Sequence, residues 1–460
     1  MPSNTMNRLF LTSLLVAVYL PAQVAAEETS VDEVSARSYA KPRNKNTTSY
    51  ELSVTTDRVA PIYKKGEEVR FTLDLAREGK RLADGKVKWS ISKDGLVPPM
   101  QEGVADVSSG PVVVTGKLDE PGFLQCRADV LIPGFSVPTV RAAAAVDPLE
   151  IKPSVAIPDD FEEFWQHQKE KLRAVPSKPD LTMVKARKQG IECFDVQDNF
   201  GQGNLSGYLA MPAGAKMGRL PAILLCHGAG VASARQGIAE DWAKDGFLAL
   251  DFNAHGLPNA KEPAFYKNLQ QGDLKEYYLH DTGSRDTMFF RMLYLRVQRG
   301  LDILTARPEW DGRILVAYGR SQGGAQAIAA AGLDPRVTFF VAQIPAVCDV
   351  AGPLAGRIGG WPKAMLMKAD GTIDRETAEA SRYFDGTNFA QRTKAGAYFT
   401  LGFVDASCPP TGVYAAYNEI TGPKNMLDQY LLGHHPSAEA DEGSREAVLQ
   451  HVKTLSAAKP

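Results

Sequence analysis

Residues 314–331 read Ile-Leu-Val-Ala-Tyr-Gly-Arg-Ser-Gln-Gly-Gly-Ala-Gln-Ala-Ile-Ala-Ala-Ala, and their order decides the fold. A β-type apolar run from Ile314 to Tyr318 meets Gly319-Arg320-Ser321-Gln322-Gly323, and a helix-forming run of small residues follows at once. Strand, tight turn and helix in that order read as a nucleophile elbow. A strained turn lifts Ser321 Oγ above the sheet, and glycines on either side let strand and helix approach. The bare G-x-S-x-G pattern would arise by chance roughly 0.2 times in a chain of this glycine and serine content, so the flanking strand and helix carry the inference.

Outward from the elbow the chain alternates. Upstream, strands are expected near 190–197, 206–211, 221–226 and 247–252, with helices near 236–245 and 286–306. Downstream come a strand at 337–343, an irregular excursion, a strand at 397–403, a helix at 410–420, a strand at 426–432 and a final helix. Continuous apolar strands alternating with amphipathic helices predict a mostly parallel sheet with helices on both faces, the α/β-hydrolase arrangement. It opens at Asp159-Asp160-Phe161-Glu162-Glu163-Phe164-Trp165-Gln166, where acidic residues suit the first turn of a helix.

A serine hydroxyl needs a base, and the base needs an orienting carboxylate. In this fold the acid and then the histidine follow the serine, each at the C-terminal end of a later strand. Asp405 follows the run Tyr398 to Phe403, and His434 is expected to end the next strand after Leu431-Leu432-Gly433. The oxyanion hole needs two backbone N–H groups. Gln322 is expected to supply one and Ala229, in Cys226-His227-Gly228-Ala229-Gly230, the other. His227, His255 and Trp361 are the remaining candidates for a substrate pocket. Arg320 is expected to point away from Ser321. The adjacent pair His434-His435 lacks a carboxylate-rich partner motif, so no metal site is predicted.

The 460 residues exceed one ordinary core. With 52 Lys+Arg against 54 Asp+Glu, no global basic field points to nucleic acid or anionic membrane. Arg8, an apolar run from Leu9 to Leu20 and Val24-Ala25-Ala26 predict a signal peptide over 1–26 and export to the periplasm or beyond the cell. No apolar stretch has the roughly 20 residues a membrane span requires. A flexible lead-in is expected over 27–48. Over 49–148, about seven short alternating strands predict an immunoglobulin-like β-sandwich domain, leaving 149–460 as the catalytic domain. Five scattered cysteines read as small buried hydrophobes with at most one disulfide.

Gly-Arg-Ser-Gln-Gly-Gly at 319–324, Val404-Asp405-Ala406-Ser407-Cys408-Pro409-Pro410-Thr411, Gly422-Pro423-Lys424 and Gly433-His434 together resemble the acetyl xylan esterases and cephalosporin C deacetylases, carbohydrate esterase family seven. The resemblance spans roughly 155–455. It implies removal of acetyl groups from xylo-oligosaccharides and related small esters, with Ser321 as nucleophile, His434 as base, Asp405 as its partner and no metal or other cofactor. An acetylated oligo- or polysaccharide is the implied partner, and a homo-oligomer is left open. The family usually carries an aromatic residue where Ala229 stands, glycine where Arg320 stands and an acidic residue where His435 stands. Two other readings compete: a serine peptidase of the prolyl-oligopeptidase type, and a carbohydrate-binding protein with a vestigial hydrolase domain.

Overall fold

The computed structural model describes residues 50–131, 138–366, 368 and 370–457. The expected signal peptide and lead-in lie outside the described residues. The N-terminal part contains strands β1 (Tyr50–Thr56), β2 (Ile62–Tyr63), β3 (Val69–Arg77), β4 (Lys80–Arg81), β5 (Lys86–Lys93), β6 (Gln101–Asp106), β7 (Val112–Gly116), β8 (Gly122–Val130) and β9 (Val140–Val146). β3 pairs with β1, β4 and β7, and a second sheet runs β2-β9-β8-β5-β6. Alternation along β3 buries Val69, Phe71, Leu73 and Leu75. These side chains share one core with Val87, Ile91, Leu124 and Cys126 of the second sheet. Burying each such residue contributes about 1.5–3 kcal/mol, which is why the period of two survives in the sequence. The two-residue strands β2 and β4 are too short to leave such a trace.

The rest of the chain continues with α1 (Phe161–Arg173), β10 (Asp180–Val184), β11 (Ile191–Asn199), β12 (Asn204–Pro212), β13 (Leu220–Cys226), α2 (Gln236–Lys244), β14 (Leu248–Phe252), α3 (Pro263–Gln271) and α4 (Phe289–Ala306). There follow β15 (Trp310–Arg320), α5 (Gln322–Leu333), β16 (Phe339–Gln343), α6 (Arg375–Ser381), α7 (Gly386–Ala390), β17 (Gly396–Gly402), α8 (Pro410–Glu419), β18 (Lys424–Gln429) and α9 (Ala438–Ala457). The sheet order is β10-β11-β12-β14-β13-β15-β16-β17-β18. From β14 to β18 all neighbours are parallel, while β10, β11 and β12 form an antiparallel edge. β10 leaves no apolar period in the sequence because none of its side chains is fully buried.

The apolar runs arise because both faces of the sheet are covered. Along β13, Ala222, Leu224 and Cys226 face the layer containing α4 and α5. Ile223 and Leu225 face the layer of Trp242 in α2 and Val448 in α9. β13 lies between β14, which follows it in the chain, and β15, which follows β14, so connections leave it in opposite directions. A crevice opens at such a switch point, outside the carboxyl ends of the strands. Cys226 and Gly319 sit side by side there in adjacent strands.

Candidate active site

The elbow holds its serine by backbone geometry. Ser321 has φ 55° and ψ −120°, a region closed to most side-chain-bearing residues, so the surrounding structure must impose it. Ser321 N–H donates to Gln343 O at 2.9 Å, and Ser321 O accepts from Ala346 N–H at 3.0 Å. Glycines make the crossing feasible. A Cβ on Gly319 would lie 2.0 Å from Gly323 O, and one on Gly323 would lie 2.4 Å from Cys226 O. Small residues then let α5 sink into the core, where Gly324 approaches Pro345 and Gly332 approaches Phe389 too closely for any side chain.

His434 Nε2 stands 2.9 Å from Ser321 Oγ, and His434 Nδ1 stands 2.8 Å from Asp405 Oδ2. A carboxylate can only accept, so Nδ1–H donates to Asp405 and leaves the Nε2 lone pair for the serine hydroxyl. Asp405 is buried, and its Oδ1 accepts from the N–H groups of Ser407 and Cys408 at 2.8 and 2.9 Å. The chain thus fixes the carboxylate at the start of the turn leading into α8. His434 does not end a strand as expected: β18 stops at Gln429, and His434 lies on the loop beyond. Leu431 and Leu432 resemble strand residues, but that loop folds back so that Leu432 O accepts from Val404 N–H at 3.1 Å.

Ser321, His434, Ala229, Trp361 and Arg320 line one cleft of about 960 Å³. Gln322 is buried at the first position of α5, where its N–H has no partner within the helix. Gln326 Nε2 donates to both His227 O at 2.8 Å and Gln322 O at 3.2 Å, tying the loop after β13 to the elbow helix. Arg320 turns away from the serine, donating to Gln343 and pairing with Asp441. His435 is exposed beside the site.

Of the three pocket candidates, His227 and His255 make their hydrogen bonds to the supporting loops. Only Trp361 lines the cleft. His227 Nε2 lies 2.6 Å from Asp251 Oδ1, and Asp251 also accepts from Arg235. Burial acts to raise the Asp251 carboxyl, but His227 and Arg235 outweigh it and hold the group below its ordinary value. His255 Nε2–H donates to Gly230 O at 3.2 Å. Both imidazoles therefore brace the walls of the site, since a buried ring nitrogen requires a partner and finds one in the supporting loops. Tyr277 begins the aromatic pair Tyr277-Tyr278, which carries no catalytic motif. Its hydroxyl accepts from Gly230 N–H at 3.2 Å and donates to Gln322 Oε1 at 2.7 Å. Among the described residues, no group of three or more His, Cys, Asp or Glu could hold a metal ion, and no helix is long and apolar enough to cross a membrane. All five cysteines are free and buried.

A serine, an imidazole and a carboxylate in series suit acyl transfer. Comparison with known proteins agrees. The acetyl xylan esterase (AXE1) family profile matches residues 147–442. The acetyl esterase Axe7A of Xylanibacter ruminicola is 31% identical over 386 residues, covering 83% of this chain and 86% of the relative. The structure of an acetyl xylan esterase from Paenibacillus sp. R4 superposes with a TM-score of 0.57 at 25% identity, covering 66% of this chain and 98% of that one. Acetyl xylan esterase 1 from Thermoanaerobacterium gives 0.55 at 22% identity, covering 66% and 97%.

Proposed function

The chain belongs to the acetyl xylan esterase family and is a carboxylic ester hydrolase of acetyl esters, and we propose that it releases acetate from acetylated xylan or xylo-oligosaccharides through an acetyl-serine intermediate. The observation that carries this reading is the hydrogen-bonded series Ser321 Oγ, His434 Nε2, His434 Nδ1, Asp405 Oδ2.

In the first step Ser321 Oγ attacks the acetyl carbonyl carbon while His434 Nε2 takes the hydroxyl proton. The negative charge that forms on the carbonyl oxygen is met by the N–H groups of Gln322 and Ala229. The bond from the carbonyl carbon to the sugar oxygen then breaks, and His434 returns its proton to that oxygen. A water molecule, deprotonated by the same imidazole, attacks the acetyl-serine. Acetic acid leaves and Ser321 is restored. Asp405 orients the ring and stabilises its cationic form. Only the acetyl group has to reach the serine, so the sugar can occupy the open cleft beside Trp361.

The same reading makes 49–148 an immunoglobulin-like β-sandwich domain and 149–460 the catalytic domain, with export directed by residues 1–26. The two sheets that share one core support the former. Acetate release from acetylated xylo-oligosaccharide by wild type and Ser321→Ala tests the reading, with a proline-containing peptide as comparison substrate. Loss of acetate release in the variant is expected. Equal release by both proteins, or faster cleavage of the peptide, would overturn it.

A further inference from the structure

The N-terminal β region reaches the loop that carries Asp405 at both of that loop's ends. At one end, the Phe123 side chain leaves its own sheet's core and packs with the core of the larger sheet. Its ring meets Phe403 edge-on, with centroids 4.9 Å apart, and also contacts Tyr414 at 5.8 Å. At the other end, Asp94 sits just past β5 with φ 54°. Its N–H donates to Phe123 O at 2.9 Å. Its buried carboxylate accepts from Thr411 Oγ1 on α8. Asn418, further along α8, donates to the carbonyls of Pro148 and Ile151 at 2.9 and 2.8 Å. Between these anchors lies the turn 405–408, whose N–H groups hold the Asp405 carboxylate.

We propose that the N-terminal β region positions the catalytic acid, with Asp94 and Phe123 as positioning residues that hold the two ends of the Asp405 loop. The inference rests on the reading of Asp405 as the partner of His434. A triad tolerates displacements of only about 0.5 Å. Strand pairing ends at Gly402, and beyond it the acid loop is held by single backbone hydrogen bonds, from Phe403 N–H to Gln429 O and Val404 N–H to Leu432 O at 3.1 Å and from Trp361 N–H to Ser407 O at 3.0 Å. An aromatic contact before Asp405 and a side-chain hydrogen bond after it add a constraint from outside the parallel sheet. Neither side chain touches substrate, so both act through Asp405.

The test uses the full chain with Asp94→Ala, Asp94→Asn, Thr411→Val, Phe123→Leu and Ser321→Ala. The readouts are kcat and KM on p-nitrophenyl acetate and the downfield proton resonance of His434 Nδ1–H. Asp94→Ala and Thr411→Val should each lower kcat about tenfold, with KM nearly unchanged. The double variant should be no slower than the slower single one, because both remove the same hydrogen bond. Asp94→Asn retains a carbonyl acceptor for Thr411 and should recover most of the rate. The Nδ1–H resonance should weaken or shift in the slow variants. Should Asp94→Ala fail to fold, Thr411→Val and Phe123→Leu read the same coupling. Melting temperatures that fall while kcat and the resonance hold would overturn the proposal, leaving docking alone. An inactive Ser321→Ala beside a fully active Asp94 series overturns this inference only. An undiminished Ser321→Ala overturns the reading of the site as well.

Discussion

The Tyr277 hydroxyl donates to the Gln322 carboxamide at 2.7 Å while accepting from Gly230 N–H, so one phenol links the elbow to the loop that carries Ala229. The link ties together the two segments that carry the proposed oxyanion donors. Tyr277→Phe keeps the ring and its packing on His255 and Phe289. It removes the link, and a net loss of about 1 kcal/mol predicts a roughly fivefold lower kcat with KM little changed. Steady-state kinetics on p-nitrophenyl acetate check this. A raised KM at constant kcat would mean that Tyr277 contacts substrate instead.

Glycine substitutions separate the elbow from ordinary helix positions. Gly323→Ala would place a Cβ 2.4 Å from the Cys226 carbonyl oxygen, inside the rigid crossing of β13 and α5. A destabilisation above about 3 kcal/mol is expected, seen as a large fall in melting temperature. Gly237→Ala near the start of α2 meets only the end of the Arg187 side chain at 3.9 Å. It should leave stability unchanged or raise it by about 0.5–1 kcal/mol.

His255 should stay neutral where ordinary histidines titrate. Burial drives its imidazole down to about 4, with the Arg296 charge adding to the effect. The unfolded chain therefore takes up this proton first, near pH 6.5. The stability contributed by neutral His255 is complete above that value and is lost as the pH falls towards about 4. An NMR titration of the His255 ring should show a midpoint near the lower value. A midpoint near 6.5 would contradict the buried contact with Gly230.

The five free cysteines are all buried, and burial pushes the Cys126 and Cys193 thiols up to about 12. Thiolate, not thiol, reacts with disulfide reagents. The native enzyme should show no fast-reacting thiol at pH 8, and denaturant should expose all five. A thiol that reacts within the mixing time of the native protein would contradict the packing around these residues.

The residues of the candidate site were legible where chemistry demands a position in the chain. Ser321 announces itself because the elbow needs glycines on both sides. Asp405 and His434 follow because an acid and a base must come after later strands. His434 nevertheless lies on a returning loop, a course fixed by the Val404 to Leu432 hydrogen bond that no local periodicity encodes. The supporting groups were illegible for a related reason. Asp94 and Thr411 are separated by 317 residues, and nothing near either names the other. Asp251 reads as one polar residue in an apolar strand until folding brings His227 and Arg235 onto it. Tyr277 is one aromatic among neighbours until folding directs its hydroxyl to Gly230 and Gln322.

In the proposed mechanism Ser321 carries the acetyl group during turnover. Acid quenching of the enzyme while it turns over p-nitrophenyl acetate, followed by peptide mass spectrometry, tests it directly. One added acetyl group is expected on the peptide containing Ser321, absent from Ser321→Ala and more abundant where hydrolysis of the intermediate is slowed. Acetyl on a different residue, or turnover with Ser321 unmodified at every quench time, would contradict it.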